Sequence, residues 1–276
     1  MAVKVILLDL DGTLLNSEKT ISPANYAALE RASAMGVHIV PATGRFYEAM
    51  PEVVRKLPFV RYVICINGGS IYDAKEDKVL YRAEIPLERA LRLFDCMDHL
   101  PVIYDCFVDG AAYMDRKHYG RIDEFIFVAK DNEMVKTLRN PVNDLRKFVL
   151  EKGMPIQKTQ MFFADIGRRN EELERLREQT PDLLVSTSLV NNIEFTAPAA
   201  SKGNALRFLA EHLGVAVEET MAFGDMDNDV SMIAAAGIGV AMGNAEPRLK
   251  EVADYITDTN NANGVAKAIE TLVFCN

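Results

Sequence analysis

The sequence predicts an α/β fold: a parallel sheet with helices on both faces, interrupted by an inserted α+β domain. Three observations predict it. Both ends of the 276-residue chain alternate short apolar runs with helical patterns, as βαβ units do. The middle carries hairpin signals instead, so its strands pair antiparallel. Acidic residues follow an apolar run in each end segment, where the strand ends of an open parallel sheet place a binding crevice.

Residues 3–8 are apolar apart from Lys4 and read as a strand buried on both faces. Ser22 is an N-cap with Pro23 at the first helical position. Tyr26, Leu29, Ala32 and Met35 follow at helical spacing, and Gly36 stops the helix. Residues 37–42 form a second strand, from which Thr43-Gly44-Arg45 leads into another helical stretch. Residues 62–67 form a third strand, ending in Asn67-Gly68-Gly69, and a hairpin over 71–72 and 79–81 follows. The texture then changes. Residues 87–100 are an amphipathic helix, and 102–108 and 111–114 flank Asp109-Gly110, a strong hairpin turn. Helical patterns at 143–150 and 171–178 enclose a strand-like 160–163. The last part returns to the first pattern. Strands at 192–196, 220–223, 238–241 and 255–257 alternate with helices at 201–212, 229–236 and 265–272. Residues 1–82 and 189–276 are therefore expected to form one Rossmann-like core, with 83–188 inserted as an α+β domain. No internal repeat or low-complexity tract is present.

Composition is that of an ordinary globular chain, with 49% hydrophobic and 26% charged residues, which excludes collagenous or disordered classes. Lys and Arg number 31 against 40 Asp and Glu, a net charge of −9. Such a chain repels phosphate backbones at long range, so nucleic acid is not an expected partner. An anionic substrate needs a local cation to reverse that field. The four cysteines form no C-x-x-C pair and no metal spacing with the four histidines, so they read as reduced thiols of a cytoplasmic protein. The first apolar run is too short for a signal sequence, and no stretch approaches the roughly 20 apolar residues of a membrane span.

Four sequence segments carry chemistry. Asp9-Leu10-Asp11-Gly12-Thr13 sets two carboxylates at a strand end, with a glycine turn that lets both face one crevice. Asp-x-Asp-Gly alone is commonly a solvated turn. The five-residue pattern arises by chance in on the order of a few chains per thousand of this length, which favours function. Gly224-Asp225-Met226-Asp227-Asn228-Asp229 sits at a second strand end. Its Asp spacing resembles a calcium loop, but Val230 replaces the glycine and Ala236 the glutamate that such a loop needs. Carboxylates converging on one crevice repel each other without a cation, and hard oxygen donors suit Mg2+. Thr43-Gly44-Arg45 and Ser201-Lys202-Gly203 supply hydroxyl, amide and cationic groups for an anion. No nucleotide P-loop, zinc-protease or serine-hydrolase motif is present, and His38, His99, His118 and His212 read as structural.

At these residues the chain resembles the haloacid dehalogenase superfamily, and within it the Cof-like branch of sugar-phosphate phosphatases (type IIB) with a large α/β cap. Asp9 to Leu14 matches the first motif, Thr43-Gly44-Arg45 the second, Lys202 the third and Gly224-Asp225-x-x-Asn228-Asp229 the fourth. Asn67-Gly68-Gly69 and Met242-Gly243-Asn244-Ala245 resemble further landmarks of the branch. The resemblance implies a Mg2+-dependent phosphatase acting on small phosphate monoesters. Asp9 is then the nucleophile and Asp11 the general acid and base. Asp9, Asp225, Asp229 and the Asp11 carbonyl serve the metal. Thr43, Gly44, Arg45, Lys202 and Asn228 serve the phosphoryl group. It also implies that the insertion selects the leaving group. A phosphomutase or a non-catalytic sugar-phosphate sensor is the alternative, and monomer and dimer both stay open. A dehalogenase normally lacks the second acid, so Asp11 argues against one.

Overall fold

A computed structural model describes residues 2–275. The chain divides into two compact units, one running to Tyr81 and resuming at Ser201, the other spanning Arg82–Ala200. Five strands come first: β1 (Val5–Leu8), β2 (His38–Pro41), β3 (Tyr62–Cys65), β4 (Ser70–Asp73) and β5 (Lys78–Arg82). Then come β6 (Val102–Val108), β7 (Ala111–Asp115), β8 (Arg139–Val142), β9 (Lys158–Phe163), β10 (Leu184–Ser186) and β11 (Asn192–Thr196). The last are β12 (Thr220–Gly224), β13 (Ile238–Ala241) and β14 (Tyr255–Ile256).

In the first unit the sheet order is β14-β13-β12-β1-β2, and every neighbouring pair is parallel. β1 lies inside this sheet, and all four of its residues are buried, which is why it reads as an uninterrupted apolar run. Register then decides where the acids go. Leu8 pairs with Phe223 on one side and Pro41 on the other. Asp9, Gly224 and Ala42 therefore leave three adjacent strands at one end of the sheet. A smaller sheet, β3-β4-β5, continues from β2 through the bridges Ile39–Val60 and Ala42–Ile64.

Helix Pro23–Ala34 starts as its residues dictate: the Ser22 hydroxyl accepts from the Asn25 amide, and Gly36 leaves with φ of +88°. The stretch after Arg45 departs from expectation. It forms only a 3-10 turn, Tyr47–Ala49, and a four-residue helix, Glu52–Arg55. Pro51 stands between them and holds Met50 extended at ψ of 141°, so no continuous helix grows from Thr43.

The second unit carries a six-stranded sheet in the order β10-β11-β9-β6-β7-β8. It is antiparallel except for the β7–β8 pair. Asp109 and Gly110 turn the β6–β7 hairpin with φ of +51° and +77°. β11 corrects the expected boundary at residue 188: it belongs to this sheet, and the unit runs on to Ala200. The reason is its partners. Asn192, Glu194 and Thr196 pair with Phe162, Gln160 and Lys158 of β9. Buried Glu194 accepts a 2.8 Å hydrogen bond from the equally buried Lys158. A buried carboxylate is tolerable only beside such a partner. Among the described residues the four cysteines are free. No helix is long and apolar enough to cross a membrane.

Candidate active site

Asp9 follows β1, and its amide donates to the Phe223 carbonyl of β12 at 3.0 Å, which fixes its place at the sheet end. Lys202 opens helix Lys202–Leu213, whose Ser201 cap accepts from the Asn204 amide. It is fully buried, and its ammonium donates to Asp9 Oδ1 and to Asp229 Oδ1, both at 2.6 Å. The other oxygen of Asp229 accepts from the amides of Asp225 and Met226, at 3.0 and 3.2 Å. Asp225 accepts from the Thr13 hydroxyl at 3.0 Å. Gly12 makes this approach feasible, because a Cβ there would lie 2.2 Å from Asp225 Oδ2 and its φ is +88°. Donor oxygens of Asp9, Asp225 and Asp229 all lie within 4.8 Å of one another.

Three carboxylates against one lysine leave an excess of negative charge in a buried place. Burial raises the Asp9 pKa well above its ordinary value, and Asp229 and Asp225 add to the rise while Lys202 opposes it. Burial and then the Asp229 charge push Asp225 up to about 7. Lys202 is stabilised as a cation: burial works against its charge, and the two carboxylates outweigh that cost. The donor set is all oxygen, crowded and under-neutralised, and it fits a hard divalent cation such as Mg2+.

Asp11 points elsewhere. Arg45 Nη2 donates to its Oδ2 at 2.8 Å, and Lys19 Nζ donates to Oδ1 at 2.5 Å. Burial tends to raise its pKa, but Arg45 and Lys19 overcome that and hold the carboxyl below its ordinary value. Arg45 was expected among the phosphoryl-binding groups, and the structure places its guanidinium on Asp11. Lys19 escaped the sequence reading. It lies on a loop closed by Asn16, whose side-chain oxygen accepts from the amides of Glu18 and Thr20. Lys19 itself sits at φ of +59°.

Thr43 and Gly44 follow β2. The Thr43 amide donates to Ile64, and the Arg45 amide donates to the Thr43 hydroxyl. Of these three amides only that of Gly44 has no acceptor among the described residues. Asn228 reaches this segment through Asn67, whose Oδ1 accepts from its Nδ2 at 3.0 Å. Asn244 donates to the Gly12 carbonyl at 2.9 Å and fastens the turn. The predicted residues thus fall into three neighbouring groups: Asp9, Asp225, Asp229 and Lys202; Asp11 and Arg45; and Thr43, Gly44 and Asn228.

Residues 6–269 match the family model of the haloacid dehalogenase-like hydrolases. The 5-amino-6-(5-phospho-D-ribitylamino)uracil phosphatase YcsE of Bacillus subtilis is 37% identical over 267 residues, covering 97% of this chain and 94% of that protein. A haloacid dehalogenase-like hydrolase from Bacteroides thetaiotaomicron superposes with a TM-score of 0.81 at 30% identity, covering 98% of this chain and 99% of that one. The subclass IIB sugar phosphatase BT4131 superposes with a TM-score of 0.81 at 25% identity and 98% coverage of both chains.

Proposed function

The chain belongs to the haloacid dehalogenase-like hydrolases and is a phosphatase acting on phosphoric monoesters, and from that premise we propose that it hydrolyses small sugar or polyol phosphates through an aspartyl-phosphate on Asp9, with Mg2+ as cofactor. One observation carries the reading. Asp9 is held by Lys202 through Oδ1, while among the described residues nothing engages Oδ2. A carboxylate fixed by one oxygen and free at the other is a positioned nucleophile.

In the first step an Asp9 oxygen attacks phosphorus in line as the bond to the ester oxygen breaks. Asp11 gives a proton to the departing alkoxide. In the second step water attacks the aspartyl-phosphate, Asp11 takes its proton, and phosphate and free Asp9 are restored. The ion pairs of Asp11 with Arg45 and Lys19 favour the ionised form that the second step uses, while the negative charge of a bound phosphoryl group favours the protonated form that the first step uses. Lys202, the Thr43 hydroxyl, the Gly44 amide and Asn228 hold the phosphoryl oxygens, with Arg45 acting through Asp11. Asp9, Asp225 and the Asp11 carbonyl would hold Mg2+, with Asp229 supporting them, and the ion when bound neutralises the clustered carboxylates and the phosphoryl charge. Asp229 serves chiefly by fixing Lys202 and the loop at Asp225, since both its oxygens are engaged.

The substrate class rests on the relatives. YcsE carries a ribityl phosphate substrate in its name, and BT4131 is a sugar phosphatase. The Arg82–Ala200 unit contains none of the motif residues, which leaves it the task of selecting the alcohol. Phosphate release from a panel of sugar phosphates, polyol phosphates and nucleotides, with and without EDTA, tests the whole reading. Release that is confined to the Mg2+ arm and ranks sugar or polyol esters first is expected. Undiminished turnover in EDTA would sink the role given to the metal.

A further inference from the structure

Three consecutive residues after β3 have positive φ: Ile66 at +52°, Asn67 at +54° and Gly68 at +94°. Glycine takes such a conformation freely and asparagine tolerates it, but a β-branched isoleucine resists it. A strained turn persists only where its surroundings over-determine it, and such turns gather at functional sites.

The surroundings here are the phosphate-facing segments. The Ile66 amide donates to the Arg45 carbonyl at 2.9 Å, and the Asn67 amide donates to the Thr43 carbonyl at 3.0 Å. Gly68 lies so close to the start of the Lys202 helix that a Cβ there would meet the Ser201 carbonyl at 2.2 Å. The turn is thus bolted to the Thr43–Arg45 segment and wedged against the residue that precedes Lys202. Its one polar side chain, Asn67, is 4% exposed. Asn67 Oδ1 accepts from Asn228 Nδ2 at 3.0 Å and lies 3.0 Å from where a Cβ on Gly44 would be.

We propose that Asn67 is a positioning residue of the phosphoryl site: by accepting one N–H of Asn228, it fixes which end of that carboxamide faces the phosphoryl group. An isolated carboxamide can present either its oxygen or its NH2 to a ligand. An oxygen turned toward a phosphoryl dianion repels it, whereas NH2 donates to it. With one N–H held by Asn67, the second N–H of Asn228 is left to donate, and flipping Asn228 alone would set two carbonyl oxygens against each other. The strain at Ile66 and Asn67 is then the cost of bringing this acceptor between Gly44 and Asn228. The inference rests on the phosphatase reading and on the role given there to Asn228.

Asn67→Gly provides the test, because glycine keeps the positive φ and removes only the side chain. Turnover of p-nitrophenyl phosphate, inhibition by inorganic phosphate and thermal melting would be measured for wild type, Asn67→Gly, Asn228→Ala and the double variant. The expected result is roughly a tenfold loss in kcat/KM for Asn67→Gly, the size of one hydrogen bond to a charged group. Weaker phosphate inhibition and a near-native melting temperature should accompany it. The double variant should be no worse than Asn228→Ala, because Asn67 acts through Asn228. Independent, multiplying losses in the double variant would overturn the proposal while leaving Asn228 its role. A harmless Asn228→Ala would remove the role of Asn228 itself, and the proposal with it.

Discussion

Asp11 is paired with two cations, and that pairing decides how it should respond to substitution. An alkoxide is a poor leaving group and needs a proton as the P–O bond breaks, whereas a nitrophenolate departs without one. Asp11→Asn should therefore depress turnover of a sugar phosphate by roughly the 10²–10⁴-fold typical of a lost general acid. It should spare the first step with p-nitrophenyl phosphate far more. The second step then lacks its base, so a burst is expected, with phosphate accumulating on Asp9. Mass spectrometry of acid-quenched enzyme would reveal that adduct. Equal losses for both esters, with no burst, would remove Asp11 from proton transfer. Ile66 illustrates another cost at the same scale. A non-glycine residue in the left-handed region costs about 1–2 kcal/mol, and β3 can end this way only because the neighbouring backbone bonds hold it there.

Among the elements, the loop of residues 12–20 bears on the site, since it carries Lys19 to Asp11 and is fastened at several points. Asn244 holds Gly12, Asn260 donates to the Leu15 carbonyl, and Asn261 bonds Ser17. Within the loop, Asn16 Oδ1 accepts from two amides and from the Thr20 hydroxyl. Asn16→Ala should cost about 1–2 kcal/mol of stability and lower kcat by more than that loss explains, because Lys19 would no longer be delivered to Asp11. A variant that melts lower yet turns over normally would show that the loop merely holds itself together. The strand-end acids were legible in the sequence because strand, turn and carboxylate are consecutive residues, so one local pattern fixes all three. Lys19 and Asn67 were not legible as site residues, because each depends on a left-handed backbone, held at Lys19 by an Asn16-closed loop and at Asn67 by the distant Thr43–Arg45 segment. The end of the insertion was misplaced for a subtler reason. Asn192–Thr196 reads as a strand in either unit, but its polar–apolar alternation is that of an antiparallel sheet and differs from the continuous apolar run of β1. That alternation was the available signal.

For the whole molecule, the buried acids tie folding stability to pH. Asp9 and Asp225 have folded pKa values raised above those of the unfolded chain, near 4. Each therefore favours the folded state fully when protonated, and that contribution is lost as pH climbs through the folded value, about 7 for Asp225. Carboxyls with lowered values, such as Asp11 and Glu194, run the opposite way, but they are already ionised in both states above about pH 5. His38 and His118 are lowered by burial, so they add stability as pH rises through the ordinary histidine range and partly mask the trend. Comparing melting with and without Mg2+ at each pH cancels the histidines, since they stand apart from the acidic cluster. An ion bound by Asp9 and Asp225 would displace their protons, so its affinity should grow as pH rises through about 7, where Asp225 ionises. A bound ligand stabilises in proportion to the logarithm of its concentration over Kd. The rise in Tm given by a fixed Mg2+ concentration should therefore be clearly larger at pH 8 than at pH 5.5, and nearly absent at both for Asp225→Ala. An equal rise at the two pH values would mean that these carboxylates are not where the ion binds. A wild-type rise that survives unchanged in Asp225→Ala would move the ion to another part of the chain.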